Sequence, residues 1–463
     1  MTQIKITKGL DIPIKGKPKG NLQSLTLSGE ASFQKKPATI ALNLDPFEDV
    51  RFKLLAKIGD VVKLGQPLVE DKLVEGRFFV SPAAGAVKEI RRGLKRRLLD
   101  IVIEVGEEET YHQLDPLNVD SAAQEMIIRR LKEGGLFAHI RRRPFNRLAH
   151  PEKLPKSIFV KAIETAPFTP PPSLQVEGHE EDFQVGLTAL SKLTSGSVHL
   201  VYHKNSTCKA FIQARDVQHH TAEGPHPVGN HSIHIQHIDP IRSIEDIVWT
   251  LRAHDVVVMG HLLNTGRYLT DRVVSIAGPG ILPDRSGYFK VRAGYPIESL
   301  MSNRVEKRPL CLLSGDPLTG KVVESEDFLG FYDTVLCAIP VSAQRELMHF
   351  FRLGLNKYSF SRAYASGHMR NESKEYDFST SLHGEERAFI DGSLYDKVMP
   401  LNVPTMTLVK SLIAEDYDLA EALGLLEVDS EDFALPAFVC PSKMEMIEIV
   451  KQGLKAHAAE VLE

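Results

Sequence analysis

Ile58 to Glu104 reads IGDVVKLGQPLVEDKLVEGRFFVSPAAGAVKEIRRGLKRRLLDIVIE. Glycines at 59, 65, 76, 85 and 93 separate short β-branched runs at hairpin spacing. Glycine supplies the positive φ that tight turns require. The runs Val61-Val62, Phe78 to Val80, Ala86-Val87 and Ile101 to Ile103 therefore pair as strands of a small antiparallel sandwich.

This outline resembles the lipoyl/biotinyl-type barrel, whose carrier members present a modified lysine at a hairpin tip. The one candidate here is Lys72, followed by Leu73 rather than a small residue or methionine. The barrel thus reads as a structural or docking module. Use as a carrier remains an alternative that a mass increment on Lys72 would reveal.

The chain has 463 residues, too many for one hydrophobic core. Its fold class reads as multidomain α/β: an N-terminal strand segment (1–40), a lipoyl/biotinyl-like barrel-sandwich domain (41–110), a Rossmann-like α/β domain (111–255), a β-grasp domain of SLBB type (256–330) and a helical C-terminal region (331–463). In the third unit a helix is expected over 121–134, with Ser121 as N-cap and Gln124 three residues on. A buried strand follows at 157–163, a proline-rich loop at 166–172, a helix at 181–193 and a strand at 197–202, an alternation that argues for a parallel sheet. Ile233-His234-Ile235 alternates like a strand. Strands at 273–277, 288–292 and 309–313, with a helix at 297–301, give a ββαβ order. Helices are expected at 341–353, 406–423 and 442–454, the last opened by a Ser442/Glu445 capping box and stopped near Gly453.

A net charge of −4 gives no general case for nucleic-acid binding. The four cysteines are scattered without a Cys-x-x-Cys, so no local zinc or iron–sulfur ligand set exists. Met1 to Lys5 lacks a secretory layout, and no apolar run approaches the ~20 residues that span a bilayer. These features describe a cytosolic or peripheral chain. Six histidines lie between His219 and His237, but loop and strand patterns scatter them, so no metal is assigned. Basic residues cluster at Lys88, Arg91, Arg92, Lys95, Arg96 and Arg97, then at Arg129, Arg130, Arg141, Arg142, Arg143 and Arg147. They form a solvated face, or they steer the chain toward anionic lipid or acidic partner loops.

Five stretches in order resemble the A subunit of the sodium-translocating NADH:quinone oxidoreductase. They are Lys8 to Pro18, the barrel, Gly224 to Gly229 with Ile233-His234 and Ile238 to Pro240, Arg272 to Pro279, and Val439 to Lys443. More distantly, the α/β and β-grasp parts are similar to flavin-bearing subunits of Rnf complexes and respiratory complex I. Those relatives cradle flavin phosphate on a glycine-rich loop. The corresponding stretch runs from Gly134 to Arg143, where Leu136 and Phe137 would crowd a phosphate. Their Asn-Gly-x-Glu-Cys-Glu-Pro stretch reads Lys161 to Pro167, keeping only Glu164 and the proline, and their cluster cysteines shrink to Cys440.

The resemblance implies a complex that oxidises NADH, reduces ubiquinone and exports sodium through membrane subunits. NADH, flavins and the iron–sulfur centre would sit on partner subunits, with no covalent group, flavin or iron–sulfur cluster on this chain. It would lie peripherally on the cytoplasmic face of the inner membrane, against a membrane subunit, and help bind ubiquinone. Alone it would be catalytically incompetent. Gly134, Gly135, Leu136, Phe137, Arg141, Lys161, Glu164, Phe168 and His226 are the candidate quinone ligands. A stand-alone flavin-dependent NADH dehydrogenase is the competing enzyme reading, and it predicts a yellow protein.

Overall fold

The computed structural model describes residues 1–24, 37–342, 351–369 and 374–462. Two small sheets build the barrel-sandwich. Thr39–Asn43, Leu98–Val105, Gly85–Arg92 and Val61–Val62 form one; Phe52–Leu54, Pro67–Asp71 and Phe78–Val80 form the other. Inward residues including Ile40, Leu42, Phe47, Leu68, Phe79, Val87, Ile101 and Ile103 fill the space between them. Gly85 is obligatory here: a Cβ on it would stand 1.9 Å from the Glu104 carbonyl oxygen. Lys72 lies exposed on the connection between Pro67–Asp71 and Phe78–Val80. That connection is docked, because the Arg77 guanidinium, ion-paired with buried Asp71, also donates to the Ala149 carbonyl at 2.9 Å.

The second unit is a seven-stranded sheet in the order Gln3–Lys5, Gln218–Glu223, Val198–His203, Ser157–Ala162, Val248–Arg252, Arg141–Arg143, Arg147–Leu148. The first five strands are parallel and the last two antiparallel. Alternation along Ser157–Ala162 assigns its two faces. Ile158, Val160 and Ala162 pack with the core of helices Glu180–Ser191 and Ala253–Thr265. Phe159 joins a different core, shared with His231–Ile238 and the C-terminal helices. Lys161 is therefore on the face turned toward the C-terminal region.

Six strands make the third layer: Lys321–Val323, Leu310–Ser314, Val335–Pro340, Asp271–Ala277, Gly287–Arg292 and Leu22–Ser24. Helix Ile297–Met301 supplies Ile297 and Leu300 to its core. The N-terminal segment thus adds one strand to each large sheet. The loop after Ala162 clamps these sheets together. Ser275 Oγ donates to the Phe168 carbonyl at 2.5 Å, and the Gln175 amide bonds both the N–H and the C=O of Val273.

Several local expectations change. The Ile233-His234-Ile235 stretch is helical within His231–Ile238, whose His231, His234 and His237 fall at helical three-residue spacing. Helix Gln124–Glu133 starts after Ala123, while the Ser121 hydroxyl turns back to Asn118 and Gln124 reaches Lys192. The proline loop ends early, since Pro172 opens helix Pro172–Val176. The span 406–423 is two helices, Thr405–Ile413 and Tyr417–Ala422, broken where Glu415 takes φ +56° and Asp416 caps the second. The Ser442 capping box does not form; Ser442 bonds Ala388 instead, and the final helix is Met446–Leu462. Gly453 lies inside it, where a Cβ would meet Leu412 at 2.7 Å, so this glycine serves helix contact rather than termination. Most of the helix expected at 341–353 falls outside the described residues.

Polar contacts fasten the C-terminal region to the seven-stranded sheet. Buried Arg143 pairs with Asp429 at 2.9 Å and donates to the Val428 carbonyl and to Ser232. Asn146 and Asn230 reach Asp429 and Asp432. Removing one member of a buried pair strands its partner's charge and costs about 3–5 kcal/mol. Asp429→Ala is expected to lower stability by that amount in urea unfolding, and a loss below about 1 kcal/mol would show that the pair does not hold this junction.

Candidate functional site

In open sheets of parallel strands, ligands collect beyond the carboxyl ends, where loops diverge. Here that edge gathers residues from four distant segments. Lys161, the penultimate residue of its strand, is nine-tenths buried, and its Nζ lies 3.1 Å from Glu164 Oε2. Burial works against its charge, but Glu164 and Glu431 outweigh it and raise its pKa. Glu431 comes from the acidic turn of the C-terminal region. Burial raises its pKa, which Lys161 opposes and Asp429 and Asp432 reinforce. Arg252 ends the next strand, where burial is overcome by Asp255 and then Glu164, so its pKa is raised.

His226 is 4% exposed, with Nδ1 3.1 Å from Thr165 Oγ1. The same hydroxyl accepts the Gly229 N–H. His226 also joins two motifs far apart in sequence, because its N–H donates to Asp11 and its carbonyl accepts from the Leu10 N–H at 2.8 Å. A Cβ at Gly9 would stand 2.2 Å from that carbonyl oxygen, which explains glycine at that position. Phe168 is buried at φ +69°, its carbonyl committed to Ser275.

The remaining candidates lie elsewhere. Gly134 and Gly135 form a turn whose open side is filled: a Cβ would meet Leu262 at 2.1 Å and Val80 at 2.8 Å respectively. Leu136 and Phe137 are fully buried in a short 3-10 turn, and Phe137 sets its ring edge against Trp249 at 6.0 Å. A phosphate does not fit this turn, because barrel and helix side chains occupy the space a phosphate would need. Arg141 stacks 4.9 Å above the Tyr332 ring.

Sequence reading missed Arg252, Asp255, Tyr332 and Glu431. His139, within the quoted glycine stretch, also proves central: Nδ1 is 3.0 Å from Asp255 and Nε2 is 2.9 Å from the Tyr268 hydroxyl. A lone arginine closing an apolar strand, Val248–Arg252, was the available clue. The six histidines from 219 to 237 do not converge; His231, His234 and His237 each bond a separate backbone carbonyl. An open groove of ≈ 410 Å³ runs between Ser173–Glu180 and Asn205–Cys208 and is lined by none of the nine candidates. Many basic side chains are paired, including Arg91 with Glu89, Arg97 with Asp45 and Arg129 with Glu133.

Burial, then Lys161, holds the His226 pKa down at about 4, against the usual 6.5. Burial likewise takes His220 to about 4 and His234 to about 3. Unfolding frees these imidazoles to bind protons near pH 6.5, so their contribution is intact above that value and declines as pH falls toward 4. For His226 the loss is roughly 3 kcal/mol by pH 4. Melting temperature is expected to fall between pH 7 and about 4.5, less steeply in His226→Asn; parallel curves would refute the assignment.

Comparison with known proteins agrees with this architecture. Residues 4–106 match the family model described as the NqrA N-terminal barrel-sandwich hybrid domain. Residues 122–268 match the NqrA second alpha/beta domain. Over 474 residues the chain is 38% identical to the A subunit of the Na(+)-translocating NADH-quinone reductase of Chlamydia caviae, covering 99% of this chain and 97% of the relative. The equivalent subunit from Chlamydia pneumoniae is 36% identical over 471 residues, covering 99% and 98%. That of Rhodopirellula baltica is 35% identical over 462 residues, covering 97% of both. With likeness of this depth along nearly its whole length, the chain belongs to the NqrA family, the A subunits of the Na(+)-translocating NADH-quinone reductases.

Proposed function

We propose that this chain is a peripheral subunit of a sodium-translocating NADH:ubiquinone reductase. It lies on the cytoplasmic face of the inner membrane and contributes to quinone binding and complex assembly. Partner subunits carry NADH, flavins and the iron–sulfur centre, and couple electron transfer to sodium export. The family assignment supports this reading, and the observation that carries the division of labour is the filled glycine turn. With Leu262 and Val80 packed where a phosphate would sit, the dehydrogenase-like framework has no cradle for a flavin nucleotide. Within that framework we read the seven-stranded unit as Rossmann-like and the six-stranded unit as a β-grasp of SLBB type. Among the described residues no helix is long and apolar enough to cross a membrane, which agrees with a peripheral place.

Quinone presents an apolar ring with two acceptor oxygens, so it suits an apolar cleft holding a few donors. Lys161 and His226, beside the Phe168 loop, are the donors this reading assigns. Glu164 pairs with Lys161, and Arg141 stacks on the Tyr332 ring that Arg252 also faces. For docking, Phe351, Leu353, Leu355, Met369, Leu382 and Ile390 are all exposed within forty residues of one another. We read this stretch, with its large exposed apolar side chains, as the side that docks against a partner. At the barrel, Leu94 is 92% exposed beside Lys95 and Arg96, a tip suited to an anionic membrane surface.

Quinone titration of the assembled complex is expected to weaken about tenfold in Lys161→Ala and in His226→Ala, with the family's subunits still assembled. Unchanged affinity in both would remove the quinone role and leave docking. Phe351→Asp with Leu353→Asp is expected to reduce co-purification with membrane subunits in mild detergent. Full recovery of the complex would place the contact surface elsewhere.

A further inference from the structure

Helices Glu180–Ser191 and Ala253–Thr265 cross at a pair of glycines. A Cβ on Gly186 would stand 2.3 Å from the Val256 carbonyl oxygen, and one on Gly260 would stand 1.7 Å from that of Asp182. Backbones this close bring the side chains flanking the crossing into direct contact. Asp182 precedes Gly186 by one turn, and His261 and Asn264 follow Gly260 on the facing helix.

The result is a convergent donor set. Asp182 Oδ2 lies 2.8 Å from His261 Nδ1 and 3.2 Å from His179 Nδ1. Asp182 Oδ1 accepts from the Asn264 amide at 3.2 Å, which fixes the carboxylate plane and leaves Oδ2 facing both imidazoles. The two rings stand 6.0 Å apart at 85°, and one ligand atom from each of the three residues lies within 4.8 Å of the others. Side-chain exposures of 21%, 11% and 23% leave the cluster reachable from solvent.

We propose that His179, Asp182 and His261 bind one divalent transition-metal ion of the zinc type, stapling the two helices. Two imidazole nitrogens with one carboxylate form a borderline donor set that selects zinc and its neighbours over magnesium or calcium. Three protein ligands leave a fourth position for water, which the partial exposure permits. In a tetrahedral site with bonds of about 2.0–2.1 Å, ligand atoms stand about 3.3 Å apart. The two nitrogen-to-oxygen spacings already approach that value, so only the imidazole-to-imidazole spacing must close. Asn264 orients the ligating carboxylate as an outer partner.

The competing arrangement is a hydrogen-bonded histidine–aspartate–histidine bridge with no affinity for metal. EDTA-treated full-length chain, titrated with zinc chloride against a chromophoric chelator, distinguishes the two. The expected result is one equivalent bound, with affinity falling at least tenfold in His261→Ala and roughly 10–100-fold in Asn264→Ala. Cobalt(II) loaded into the wild-type chain should give the visible bands of a nitrogen–oxygen site without a thiolate charge-transfer band, a readout that does not depend on any variant folding. Absence of saturable zinc binding would overturn the proposal. So would binding undiminished in the His179→Ala/His261→Ala double variant, or a thiolate band, since either places the ion elsewhere.

Discussion

One buried polar network sets how the seven-stranded sheet meets the six-stranded layer. Asp255 accepts the Arg252 N–H at 3.0 Å as a helix cap, faces His139 at 3.0 Å, and through His139 reaches the Tyr268 hydroxyl. Arg252 donates to the Tyr332 carbonyl at 2.6 Å, and the Tyr332 hydroxyl returns to the Ala138 carbonyl. Burial opposes the Asp255 charge, but Arg252 and His139 hold its pKa far below the usual carboxylate range. A buried carboxylate is tolerated only when its lone pairs are taken, here by Arg252 at the start of its own helix and by His139 from the distant glycine stretch. The sheet, the glycine turn and the six-stranded layer are therefore fixed relative to one another by the same few atoms.

The glycine turn beside that network is closely packed. Gly135 still takes the left-handed conformation, φ +71°, that such turns need. The space in front of it has been given to Val80 of the barrel, and that in front of Gly134 to Leu262. The turn packs the barrel and helix Ala253–Thr265 against each other through these two glycines. The same logic applies to Gly9 and Gly453, whose missing side chains allow close approach by His226 and Leu412.

The charged edge around Lys161 follows from alternation along one strand. Apolar neighbours Val160 and Ala162 point into the helical layer, so Lys161 must point the other way, toward Glu431. Burial of a lysine in this position requires carboxylates from both its own loop and the C-terminal region. The C-terminal region is consequently part of the site's electrostatics as well as a covering layer.

Local signals were strong wherever backbone needs alone decided structure. Glycine spacing and β-branched runs pointed to four of the barrel strands but not to Thr39–Asn43, Phe52–Leu54 or Pro67–Asp71, while alternating strands and helices were enough to indicate a parallel sheet. Elsewhere, local pattern misled. Ile233-His234-Ile235 alternates like a strand yet is helical, and its buried His234 bonds the Val228 carbonyl in the turn before the helix. Gly453 resembled a stop signal until Leu412 was found against it. The meeting of His226 with Asp11, of Lys161 with Glu431 and of Asp182 with His261 joins segments tens to hundreds of residues apart. No sequence period encodes such pairings, since they arise only when sheets and helices stack and leave buried charges that must find partners.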